Sequence, residues 1–162
     1  MPFEPLEVTV TETQMAALAA SVADQLSVGD CIALRGDLGA GKTTFARALI
    51  RAIMADPLHE VPSPTFALRQ DYVSTRGTLV HFDLYRIAEA RDLDDIGFGD
   101  AVVHAITLIE WPERAAAELP HNRLDIALRD GGTAATRILT ISGHGTLLGL
   151  PQKLRTALNI AD

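Results

Sequence analysis

The chain reads as an α/β protein with a mostly parallel central sheet, helices on both faces and some antiparallel strands. Three observations carry that reading. A wholly apolar run at residues 31–34 is followed at once by a glycine-rich loop and then by helix-periodic residues. Strand-like and helix-like segments alternate along the chain. No linker-like stretch or fixed-period repeat divides it, so residues 1–162 are read as one domain.

In order, Leu6-Glu7-Val8-Thr9-Val10 alternates as a half-buried strand does, and Thr11 with Gln14 has the spacing of a capping box that opens a helix over residues 12–27. Val28-Gly29-Asp30 ends it. Residues 31–34 then form a central strand, with Cys31 as a core residue. Beyond the glycine-rich loop, Phe45, Leu49 and Ile53 recur at helical spacing. Pro57, Pro62 and Pro64 make residues 56–65 a loop. Residues 66–73 and 78–83 read as strands of a hairpin, and residues 88–104 as an acidic helical stretch. Residues 105–109 form a further strand, with a short helix after Pro112. Late strands at 124–128 and 138–142 flank Asp130-Gly131-Gly132, and residues 150–158 read as a last helix.

Composition narrows the function classes. Hydrophobic residues make up 48% and charged residues 22%, ordinary for a folded globular chain. The net charge of −7 argues against an independent grip on nucleic acid, which rests on Lys and Arg displacing counterions, so any nucleic-acid role is expected to be indirect. The lone cysteine cannot form an internal disulfide, the N-terminus shows neither a basic leader nor an apolar stretch, and no run approaches the length of a membrane span. A cytoplasmic protein with no membrane association is expected.

The chemistry concentrates in Gly36-Asp37-Leu38-Gly39-Ala40-Gly41-Lys42-Thr43, which fits G-x-x-x-x-G-K-[ST] without a mismatch between a strand and a helix. Glycines let the backbone curl into an anion nest at a helix N-terminus. Lys42, one of only two lysines in the chain, supplies a point charge for outer phosphates, and the Thr43 hydroxyl suits magnesium. The expected ligands are ATP and Mg2+. Such a site needs a carboxylate at the end of a neighbouring strand. Asp83 and Glu110 both stand there, each against the alternative of a helix cap. His81 and Trp111 read as packing residues. Ser63-Pro64-Thr65-Phe66 lies where nucleotide switches place a hydroxyl, and is otherwise a rigid turn.

Together Gly36 to Thr44, Ser63-Pro64-Thr65-Phe66, His81-Phe82-Asp83-Leu84-Tyr85-Arg86 and Ile109-Glu110-Trp111-Pro112 strongly resemble the TsaE family, over about residues 8–143. The resemblance implies a P-loop ATPase of tRNA threonylcarbamoyladenosine formation that supports turnover of the TsaB and TsaD proteins. It implies magnesium at Thr43 and Glu110, Asp83 close to the phosphates, the segment around Glu12-Thr13 beside the adenine and Arg137 in the nucleotide region. Catalytic roles then fall to Lys42, Asp83 and Glu110, and nucleotide contacts to Thr13, Asp37, Leu38, Gly39, Ala40, Gly41, Lys42, Thr43, Thr44, Asp83 and Arg137. Rival readings are a small-molecule or nucleotide P-loop kinase, which lacks an obvious arginine-rich lid here, and a non-catalytic nucleotide sensor. Nucleotide-dependent partner binding through the Ser63 to Phe66 loop and the acidic stretch at residues 92–100 is a further expectation.

Overall fold

A computed structural model describes residues 3–160; Met1 and Pro2 of the N-terminal reading and the last two positions of the single-domain span lie outside the described residues. Among the described residues seven strands form one sheet: β1 (Leu6–Thr11), β2 (Cys31–Arg35), β3 (Arg69–Ser74), β4 (Gly77–Asp83), β5 (Ile106–Glu110), β6 (Arg123–Asp130) and β7 (Thr136–His144). Their spatial order is β1-β7-β6-β2-β5-β4-β3. The central neighbours β6, β2, β5 and β4 run parallel, while β1, β7 and β3 join antiparallel toward the edges. This is the expected α/β arrangement, with β2 buried from Cys31 to Leu34 in the parallel centre.

Helices cover both faces. Helix α1 (Glu12–Ala23), α2 (Lys42–Met54) and α5 (Leu150–Ala157) pack with Leu6, Ile32, Leu34, Leu79 and Leu108 on one side. Helices α3 (Ala90–Asp95) and α4 (Phe98–His104), with a 3-10 segment at Pro112–Glu118, cover Cys31, Val80, Phe82 and Ile109 on the other. The two-residue period of β4 and β5 places Leu79, His81 and Asp83, and likewise Ile106, Leu108 and Glu110, on the face beneath α2. Each stripe is apolar at its start and ionisable at its carboxyl end, and those ends lie beside the P-loop.

Several boundaries differ from the sequence reading, the late strands running one or two residues longer at each end, and three differences have a visible cause. Helix α1 stops at Ala23 instead of residue 27, because residues 27–30 close a turn in which the Ser27 amide donates to the Asp30 carboxylate at 2.9 Å. Its start is as expected: Thr11 and Gln14 cap each other reciprocally. Strand β3 begins at Arg69 rather than at 66, since Leu68 takes a left-handed φ of 65° and its amide turns back to the Pro64 carbonyl. The acidic stretch is two helices, broken at Gly97 with φ 66°, where the Arg69 guanidinium takes up the Ile96 carbonyl at 2.8 Å.

Candidate active site

The loop between β2 and α2 owes its path to glycine at two points. Gly36 has φ 149°, and a Cβ there would stand 2.6 Å from the Leu128 carbonyl oxygen, so only glycine lets the loop pass β6. Gly41 starts α2 with φ 108°. The first-turn amides of α2 have no partners within the helix, and they lie at its positive end. This end faces a cleft of about 280 Å³ lined by Leu38, Gly39, Gly41, Lys42, Thr43, Thr44, Thr65, Asp83, Tyr85, Glu110, Trp111 and Arg137.

Lys42 is buried, and its ammonium donates to the Gly36 carbonyl and, at 2.9 Å, to the Asp37 carbonyl. The same nitrogen lies 4.1 Å from the centre of the Trp111 ring. Burial lowers the Lys42 pKa, opposed by the carboxylates of Glu110, Glu113, Asp83 and Asp37. Trp111 therefore does more than fill space. Its left-handed φ of 58° turns it toward the lysine, with Tyr85 against its ring at 4.9 Å.

Asp83 and Glu110 are register partners on β4 and β5, which is why both strand ends converge. Neither serves as a helix N-cap among the described elements. Glu110 is 2% exposed and accepts from the Thr43 hydroxyl at 3.1 Å through Oε1. Asp83 accepts the Tyr85 amide at 3.0 Å and the Thr65 hydroxyl at 3.2 Å. Since Thr65 spends its proton on Asp83, Ser63 is the donor in the 2.8 Å contact between the two hydroxyls.

The remaining expected contacts divide between two adjoining hollows. Thr13 and Arg137 line a hollow of about 340 Å³ with Thr11, Glu12, Met15 and Ala134, joined to the main cleft through Gly41, Thr44 and Arg137. Asp37 and Ala40 are not on the cleft. They line a hollow against Leu128, Arg129 and Asp130, again with Arg137, because this part of the loop turns toward β6. A larger hollow, about 460 Å³, lies between α1 and α2 around Arg47 and Arg51, with Glu12, Asp56 and Thr44 on its lining but neither Lys42 nor a strand-end acid.

One expected packing residue also meets the site. His81 is buried as a packing histidine would be, but its Nε2 stands 2.7 Å from Glu110 Oε2. The signal was the two-residue period that sets His81 on the same face as Asp83; the missing information was the β4–β5 pairing.

A glycine-rich loop after a buried parallel strand, with a lysine, a hydroxyl and two strand-end acids around one cleft, defines a P-loop α/β protein. The family model for "Threonylcarbamoyl adenosine biosynthesis protein TsaE" matches residues 9–138. The chain belongs to the TsaE family. Among relatives named tRNA threonylcarbamoyladenosine biosynthesis protein TsaE, that of Rickettsia felis is 33% identical over 143 residues, covering 87% of this chain and 83% of the relative. The Aquifex aeolicus protein is 40% identical over 97 residues, 60% of this chain and 68% of the relative. The crystal structure of Bacillus subtilis YdiB aligns over 96% of this chain and 97% of its own, with a TM-score of 0.73 and 25% identity. Among the described residues no helix is long and apolar enough to cross a membrane.

Proposed function

We propose that this chain binds ATP with magnesium in the cleft and hydrolyses it as the ATPase of tRNA threonylcarbamoyladenosine formation. The observation that carries the reading is the Thr43–Glu110 pair at the mouth of the P-loop, with Lys42 and Asp83 lining the same cleft. Magnesium prefers hard oxygen ligands, and Thr43 Oγ1 and Glu110 Oε1, side by side at 3.1 Å, are such a pair.

Thr43 and Glu110 would hold the metal, which when bound supplies charge to neutralise phosphate oxygens. The P-loop backbone cradles the phosphates, and Lys42 offsets their charge from a pocket that burial has partly dried. Asp83 would orient an attacking water, and the Tyr85 amide and the chain from Ser63 through Thr65 hold its carboxylate. Thr13 and Arg137, which line the adjoining hollow, would flank the base.

The acidic surface fits indirect action on tRNA, through TsaB and TsaD in the cytoplasm, as the family resemblance implies. Steady-state phosphate release by the chain alone and with TsaB and TsaD tests this reading. Stimulation by the pair is expected, whereas identical rates with and without them would contradict a partner-dependent ATPase.

A further inference from the structure

We propose that His81 is a positioning residue that holds Glu110 in a one-oxygen presentation to the metal and thereby favours magnesium over calcium. The inference rests on the magnesium site described above. His81 is 1% exposed, and its Nε2 meets Glu110 Oε2 at 2.7 Å deep beneath α2. An ionised carboxylate only accepts, so the imidazole donates through Nε2. The other oxygen, Oε1, is the one beside Thr43. One carboxylate oxygen is thus tied to the sheet and the other is offered to the cleft.

Packing alone does not account for a histidine here. Nδ1 is buried and makes no hydrogen bond among the described residues, which an apolar side chain of similar size would avoid. What the imidazole adds is the orientation of Glu110. That orientation bears on metal choice. Magnesium is content with single-oxygen carboxylate ligands in a tight octahedron, whereas calcium takes more ligands at longer range and often both oxygens of a carboxylate. With Oε2 held by His81 on the sheet side, the carboxylate is fixed in the rotation that turns Oε1 to the cleft, and two-oxygen ligation would require it to rotate against a buried hydrogen bond. A partner that fixes a metal ligand's orientation typically changes metal affinity by about 10- to 100-fold.

The test uses a non-hydrolysable ATP analogue, titrated calorimetrically into the full chain without metal, with MgCl2 and with CaCl2. The wild type is compared with His81→Leu and His81→Gln; glutamine's terminal amide can place a donor near the position of Nε2. Wild type should bind the analogue more tightly with magnesium than with calcium. His81→Leu should lose about 10-fold of the magnesium enhancement and narrow the gap to calcium, with metal-free affinity unchanged, and His81→Gln should restore most of both. A His81→Leu protein with wild-type magnesium enhancement and discrimination would overturn the proposal. So would a loss confined to metal-free affinity, which marks a merely structural role. If the wild type itself gains nothing from magnesium, the underlying metal site is refuted along with it.

Discussion

Replacing Glu110 with glutamine keeps the length and shape of the side chain and removes its charge. Glu110 is 2% exposed and sits between His81 at 2.7 Å and Thr43 at 3.1 Å. A glutamine amide can accept from His81 with its oxygen and donate to the Thr43 hydroxyl with its nitrogen. The cost to folding is then the difference between a charge-assisted and a neutral hydrogen bond, about 1 kcal/mol. At the metal the loss is larger, because an amide presents neither the charge nor the second oxygen of a carboxylate. Removing one preorganised electrostatic contact typically costs about 3 kcal/mol in the transition state, or roughly 100-fold in turnover. Glu110 is also the leading carboxylate that opposes the burial of Lys42, so its neutralisation lowers the lysine's pKa further. The assay pairs ATP turnover across a magnesium titration with thermal melting and metal-free nucleotide binding. A Glu110→Gln protein that melts lower by several kcal/mol yet turns over ATP normally would refute the metal role.

Other predictions follow from neighbouring residues. Gly36→Ala drives a Cβ against the Leu128 carbonyl at φ 149°, so it should cost about 1–3 kcal/mol of stability and weaken nucleotide binding; an unchanged melt and affinity would show the loop to be more pliable than its geometry indicates. Thr65→Ala cuts the chain from Ser63 to Asp83 and should lower turnover about tenfold with nucleotide affinity nearly unchanged, as read from kcat against KM. Burial pushes the Cys31 thiol from 9.0 up to about 12. Because the folded thiol keeps its proton where the unfolded one loses it, this stability is complete below pH 9.0 and declines as pH rises toward about 12, by about 1.4 kcal/mol per unit across that window. The same thiol should resist alkylation in native protein at pH 8 and react on unfolding, and rapid native labelling would contradict its burial.

The parts of this molecule legible in the sequence are those with local causes. The capping box at Thr11 and Gln14, the apolar run of β2, the glycines of the loop and the hairpin turn before Gly77 each act over a few residues. The break in the acidic stretch has a different origin, since Arg69 reaches across to Ile96, a contact between distant segments that no short pattern reveals. The end of α1 and the start of β3 turn on local hydrogen bonds, Ser27 to Asp30 and Leu68 to Pro64, which leave no periodic signature. The site divides the same way. Lys42 and Thr43 stand in a contiguous motif, whereas the link from His81 to Glu110 exists only after β4 and β5 pair in parallel, bringing together residues 29 apart. Trp111 likewise looks like packing until its backbone angle turns the ring beneath Lys42.

That placement supplies a direct readout, since Trp111 is the only tryptophan in the chain and its ring lies against the proposed phosphate-binding ammonium. The most direct measurement is phosphate release from ATP by the purified chain, with magnesium and with chelator, while Trp111 fluorescence follows binding in the same samples. Magnesium-dependent release that disappears in Lys42→Ala, accompanied by a fluorescence change on nucleotide addition, is the expected result. Nucleotide-independent fluorescence together with no phosphate release under either condition would contradict the assignment of this cleft as a magnesium–ATP site.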